Sequence, residues 1–434
     1  MRAPRPGVNA SANHPKYWLG SIEVCAKPTR IVPTLSSYLL GIAIGNAPIN
    51  FANPGIALPA NSSGILSTVS SRPKSMAIRS KVAKMRGVRI LVILLVLFPC
   101  SAQAQSWAVQ TSGIHTNLRG VSVVRPEPSR DSVTVIWASG SNGIILRSTD
   151  SGRTWNRLRV PSGDALDFRG IQGFDEKTAY VMSSGEADTS RIYKTIDGGA
   201  NWQLQFTGKR ESFFLDALVC DSAIRCFALS DPVDGKFLLL VTQDGQHWAE
   251  LPSDSMPLAV PGEGAFAASG TCLAVAGDEL YFATGGPVAR VFHSTDSGRT
   301  WTFSQAPLAS GSAASGIFSI VVRGNNVQIV GGDYQSPENR DGVAAHSEDR
   351  GISWESAVQQ PGGYRSAIAW VDSESLIAAG PSGVDISLNG GVYWEHLNSL
   401  NLNALSLTPG SSSEAWAVGP KGTIVRFTGL GLSR

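Results

Sequence analysis

Cysteine is scarce in this 434-residue chain, which has 5 of them. No Cys-x-x-Cys pair occurs and the 6 histidines are scattered, so the ligand spacing of a zinc site is absent. No dinucleotide fingerprint sits on a strand, turn and helix, which removes the nicotinamide oxidoreductases. Stretches of helical periodicity are almost lacking, which argues against a helical class. The apolar run Ile90 to Phe98 is well short of the roughly 20 residues that a transmembrane helix needs. Neither a metal nor a cofactor is expected.

What stands around that apolar run is informative. A short basic segment, Met85 to Arg89, precedes it, and the small-residue triplet Ala102-Gln103-Ala104 follows. This is the layout of a secretory signal peptide over 85–104. It predicts a secreted or periplasmic mature chain, 105–434, with no transmembrane helix. Pro99 before Cys100 fits a lipoprotein signal poorly. Residues 1–84 are rich in Pro, Ser and Asn, carry no clear periodicity and are given no structure. Translation from Met85 or Met76 accounts for them most simply. The split also changes the charge. Residues 1–89 hold 12 Lys and Arg against the single acid Glu23, so the remainder has 24 basic and 33 acidic residues, a net −9. A nucleic-acid partner loses its support.

The strongest pattern is a repeat. Ser-Thr-Asp-Ser-Gly-Arg-Thr-Trp occurs twice, at Ser148 to Trp155 and Ser294 to Trp301, and four looser copies end at Trp202, Trp248, Trp354 and Trp394. Each has a turn residue (Asp150, Asp197, Asp244, Asp296, Asp349 or Asn389), then glycine, then tryptophan. Asp and Asn bond their own backbone and Gly accepts the positive φ of a tight turn. The pattern is the Asp-box of sialidase-type propellers, and a period of this size marks a repeat architecture. Around each box lie four short β-rich runs. The first block reads 119–124, 133–138, 143–148 and 155–160. Short strands at even spacing argue an all-β fold, and four-stranded units repeated radially make a propeller.

Seven inner-strand starts align: Leu118-Arg119-Gly120, Phe168-Arg169-Gly170, Leu215-Asp216-Ala217, Gly262-Glu263-Gly264, Ser315-Gly316-Ile317, Tyr364-Arg365-Ser366 and Leu402-Asn403-Ala404. The seventh block supplies only three strands, and Ser106 to Gln110 resembles the missing outer one. The expectation is a seven-bladed β-propeller, closed by the N-terminal strand in the last blade, which also removes an open edge.

Loops at one face of such a ring carry function on a rigid frame. The register puts Arg119, Arg169 and Arg365 beside the carboxylates Asp216 and Glu263 around one channel. Arginine offers a planar fork for carboxylate or phosphate; the alternative is that these groups pair with one another. Loops at Ser230–Lys236, Thr284–Arg290 and Gly331–Arg340 add Asp231, Lys236, Arg290, Asp333 and Tyr334 as candidate contacts. The box residues, on the opposite rim, are expected to be structural. Of the three mature cysteines, Cys220 and Cys226 either clip one hairpin or, with Cys272, are small buried residues.

The boxes, together with Gly-Pro-x-Gly turns in Ala379 to Gly383 and Ala417 to Gly422, resemble the photosystem II stability and assembly factor family and its broader secreted branch. The resemblance covers about 105–430. For the photosynthetic members it implies a seven-bladed assembly chaperone with an arginine-rich patch for partner contact, and for the secreted branch the fold. With no nucleophile–base or metal motif in the chain, the expectation is a non-catalytic, protein-binding propeller that assists an envelope complex. Arg119, Arg169 and Arg365 match that patch by type and location. A monomer is expected. The rival is a sialidase-like glycoside hydrolase or glycan-binding propeller. It would field the three arginines with Tyr334 or Tyr364 as nucleophile, Glu263 beside it and Asp216 as acid/base. Against it stand seven blades rather than six, and the absence of an Arg-Ile-Pro segment.

Overall fold

In the computed structural model, residues 105–125 and 133–430 are described. The expected signal peptide and upstream segment lie outside the described residues.

Seven antiparallel four-stranded sheets make up the described chain. Strand β1 is Ser106–Gln110. Blade one is β2 (Leu118–Val124), β3 (Val135–Gly140), β4 (Ile144–Ser148) and β5 (Asn156–Leu158). Blade two is β6 (Asp167–Gly173), β7 (Ala179–Ser184), β8 (Arg191–Thr195) and β9 (Gln203–Thr207). Blade three is β10 (Leu215–Cys220), β11 (Cys226–Val233), β12 (Lys236–Thr242) and β13 (Ala249–Glu250). Blade four is β14 (Leu273–Ala276), β15 (Glu279–Ala283), β16 (Arg290–Ser294) and β17 (Thr302–Gln305). Blade five is β18 (Ser315–Arg323), β19 (Asn326–Asp333), β20 (Ala344–Ser347) and β21 (Glu355–Ser356). Blade six is β22 (Ala367–Trp370), β23 (Leu376–Gly380), β24 (Gly383–Ser387) and β25 (Glu395–Asn398). Blade seven joins β26 (Ala404–Leu407), β27 (Glu414–Val418) and β28 (Ile424–Thr428) to β1, with Ser106 opposite Thr428 and Gln110 opposite Ile424. The fold is a seven-bladed β-propeller. Among the described residues no helix is long and apolar enough to cross a membrane.

Burial is deepest at the second strands and least at the outer edges. The second strands β3, β7, β23 and β27 are buried at every position, whereas β13 and β21 are exposed throughout. A second strand has a neighbouring blade on both faces, so its sequence is apolar without alternation. Seven apolar clusters fill the seven clefts between adjacent blades, and the one between blades seven and one joins Leu118, Ile136 and Leu146 to Trp416, Val418 and Ile424. At roughly 25 cal/mol per Å² of apolar surface removed from water, this packing is the main stabilising term.

The repeated turns lock these stacks at one rim. At Ser148, the hydroxyl donates to Asp150 Oδ1 at 2.8 Å and accepts from Gly152 N at 2.9 Å. Asp150 then accepts from Thr154 N at 2.9 Å and Thr154 Oγ1 at 2.6 Å. The copy at Ser294, Asp296, Gly298 and Thr300 repeats the set within about 0.1 Å. Each tryptophan enters a cleft: Trp155 meets Trp416 edge-on, Trp202 meets Trp137, and Trp248 meets Tyr180. Trp301 packs on Phe282, Trp354 donates to Ser304, and Trp394 lies in the cluster between blades five and six.

Two expectations need correction. The inner strand of blade four begins at Leu273, not at Gly262-Glu263-Gly264. Of that triplet Gly264 pairs with the sheet through its backbone, in a bridge to Gly285. The Ser230–Lys236 segment is mostly strand, since β11 continues to Val233 and leaves Asp234-Gly235 as a two-residue turn with φ of 54° and 80°. Cys220 and Cys226 face each other across β10 and β11 and form a disulfide, and Cys272 is free and buried.

Candidate functional site: the mouth of the central channel

Four inner strands are bulged near their starts. The register slips between Leu118 and Gly120, Phe168 and Gly170, Leu215 and Ala217, and Ile317 and Ser319. The extra residues are Arg119, Arg169, Asp216 and Phe318. A bulge re-aims a side chain and is a feature of functional edges. The glycine after each arginine is sterically required in blade one, where a Cβ on Gly120 would lie 2.8 Å from Ser139 Oγ and 3.0 Å from Arg169 O.

The bulged arginines converge. Arg119 is 2% exposed, and its charge interacts with Arg169, Asp167 and Tyr364. Arg169 donates from Nε to Asp167 Oδ2 at 2.7 Å and from Nη1 to Ala267 O at 3.1 Å. Asp167 is also held by Ser141 Oγ at 2.8 Å. Burial works against the Asp167 charge, but Arg169 and Arg119 keep its carboxyl below the ordinary carboxylate range. Arg119 itself has no hydrogen-bond acceptor at Nε or Nη2, although both atoms are buried. Burial first, then repulsion from Arg169, lowers it to about 10. A buried guanidinium with two idle donors is a costly arrangement.

Beside the arginines stands an aromatic wall. Phe266 stacks on Phe318 at 3.8 Å between ring centres, and Phe318 meets Tyr364 at 4.6 Å and Tyr334 at 6.3 Å edge-on. Burial pushes the Tyr364 phenol far up, and burial with the Asp333 carboxylate raises that of Tyr334. A tyrosine nucleophile needs the opposite shift.

The channel below is filled by the chain's own backbone. The segment leading into β14 reaches blade two through Ala267 O, blade six through Ser269 Oγ to Ser366 O at 2.6 Å, and blade five through Thr271 Oγ1 to Ser319 Oγ at 2.7 Å. Asp231 anchors its start by accepting from Ala265 N at 3.0 Å.

The other sequence candidates make contacts of their own. Arg365, 0% exposed, pairs with Asp385 within blade six and donates to Tyr364 O and Ser382 Oγ at 2.8 Å each. Burial lowers its pKa while Asp385 opposes that shift. Glu263 is bound by Arg290 and by Thr284 Oγ1 at 2.6 Å, a buried pair inside blade four. Asp216 lies near Cys272, whose thiol burial and then the Asp216 charge push up. Lys236 donates to Ser253 O at 2.8 Å, and Asp333 accepts from Gln335 N at 2.8 Å. The expected meeting of three arginines with Asp216 and Glu263 therefore reduces to Arg119, Arg169 and Tyr364. Asp167, Phe266 and Phe318 are members that the aligned starts did not single out.

These features define a seven-bladed propeller with a closed axis and an arginine and aromatic mouth. Solved structures similar to it are those of YCF48 bound to D1 peptide and of YCF48 from Cyanidioschyzon merolae. They are 12% and 15% identical, with TM-scores of 0.52 and 0.53, and each match covers 74% of this chain and 96% and 99% of the other. At that identity the likeness is one of fold. Among curated proteins, a 77-residue stretch is 34% identical to the photosystem II assembly lipoprotein Ycf48 of Synechococcus sp. (strain CC9902). An 85-residue stretch is 31% identical to the vacuolar protein sorting/targeting protein 10 of Colletotrichum graminicola (strain M1.001 / M2 / FGSC 10212). The chain covers 20% and 5% of those two relatives. No family model matches.

Proposed function

We propose that this protein is a non-catalytic, protein-binding propeller that assembles or stabilises a complex of the cell envelope, and that it works outside the cytoplasm after removal of residues 85–104. The observation that carries the reading is Arg119, buried with Nε and Nη2 unpartnered at the mouth of the channel. An acidic group of a partner is met by the part-exposed Arg169, with the charge of the buried Arg119 behind it and the part-exposed Tyr334 ring as apolar seat. Charge-assisted, bidentate contacts of that kind are the stronger class of hydrogen bond. That one similar structure is of YCF48 bound to D1 peptide supports a peptide-binding use of this fold. Capture of a partner by the wild-type protein and its loss on Arg119→Met supports the reading; equal capture by both contradicts it.

A further inference from the structure

Far from the mouth, the outer edges of blades two and three enclose a cavity of about 590 Å³. That size lies within the roughly 300–1,000 Å³ range of small-molecule sites. Its floor is aromatic and aliphatic: Phe206 and Phe213 pair at 5.4 Å between ring centres, beside Leu240 and Trp248. Its rim is polar, with Thr207, Lys209, Arg210 and Glu250.

The cleft is built rather than accidental. The Trp248 indole N–H donates to Gln205 Oε1 at 3.0 Å, and Gln205 Nε2 donates to Gly245 O at 3.0 Å, so ring and carboxamide hold each other. Arg210, just beyond β9, pairs with Glu250 on β13 and ties the two blades together across the opening.

The lining discriminates among ligand classes. An anion wants several free donors, and with Arg210 already paired to Glu250 the rim leaves Lys209 as the one unpaired charge of its lining. A lipid or sterol wants an apolar wall, and four polar side chains on the rim oppose that. A pyranose suits both halves. Its C–H face carries slight positive charge and stacks on the negative face of an aromatic ring. Its hydroxyls both donate and accept, matching Lys209 and Arg210 as donors, Glu250 as acceptor and Thr207 as either. We propose that the cleft between blades two and three binds a neutral saccharide, independently of any partner at the channel mouth.

The test is ligand-observed saturation-transfer NMR with maltotriose, cellotriose and chitotriose, and with 3′-sialyllactose as the acidic control. Leu204→Arg places a bulky group on the lip of the cleft at a position 49% exposed, so the fold tolerates it. Its thermal unfolding is measured alongside. The expected result is transfer to at least one neutral trisaccharide, weakened about tenfold or more by Leu204→Arg and unchanged by Arg119→Met. No transfer to any neutral sugar up to about 20 mM, well past the millimolar scale of a −4 kcal/mol contact, overturns the proposal. Transfer unaffected by Leu204→Arg in a folded variant, or confined to the sialylated control, also overturns it.

Discussion

Replacing Arg119 with methionine is expected to stabilise the free protein. Burial and Arg169 lower the guanidinium from 12.5 to about 10. At about 1.4 kcal/mol per unit, that reflects a cost on the order of 3 kcal/mol for holding the charge there. The two idle donors describe the same cost from another side, at roughly 1–3 kcal/mol for each buried unsatisfied group. Methionine keeps an unbranched stem that fills the space and removes both the charge and the donors. Some attraction from Asp167 is lost. The net expectation is a gain of about 1–3 kcal/mol, at roughly 1.5 °C in Tm per kcal/mol for a ring of about 320 residues. Urea unfolding with an unchanged slope measures it. A loss of more than about 1 kcal/mol in the variant would refute the reasoning, because the guanidinium would then be holding the native mouth together.

Three further outcomes follow from the ring itself. Asp150, Asp296 and Asp349 are each lowered to about 2 by the side-chain hydroxyl and backbone N–H groups of their turns. Their contribution is complete above the unfolded carboxylate value of about 3.9 and is lost as pH falls through that value toward 2, so Asp150→Asn should flatten the acid limb of stability in that window. Replacing Cys220 and Cys226 together with alanine frees a short loop of sequence separation 6, and should cost about 2 kcal/mol by loop-closure entropy in chemical denaturation. Gly316 sits at φ 154° with an added Cβ 2.3 Å from Gly285 Cα, where blades four and five bridge. Gly316→Ala should therefore lower stability by about 1–3 kcal/mol; a variant as stable as the parent would show that this bridge relaxes freely.

The blades were legible because their signals are local. A hydroxyl, an acid or amide, a glycine and a tryptophan within eight residues specify one turn, and every copy of that turn closes a blade whatever the rest of the chain does. The mouth was legible only in part. Arg119 and Arg169 share a register with Arg365, but Arg365 meets Asp385 across its own blade and is spent there. Glu263 lies close to Arg290 for the same kind of reason, and no spacing rule distinguishes a carboxylate facing the axis from one with a partner inside its blade. The aligned Ser315-Gly316-Ile317 is two residues out of register, because the bulge of blade five comes after Ile317 and puts Phe318 where Arg119 stands in blade one. The filling of the axis was invisible for a different reason. It depends on a detour before β14 whose hydrogen-bond partners belong to blades two, five and six, far apart in sequence.

The most direct test of the central claim is a pull-down from a cell-envelope extract with the wild-type protein and an Arg119→Met/Arg169→Met variant shown to be folded. The account predicts one specific protein captured by the wild type and lost from the variant. Equal recovery of that protein by both would contradict it and remove the channel mouth as the binding surface.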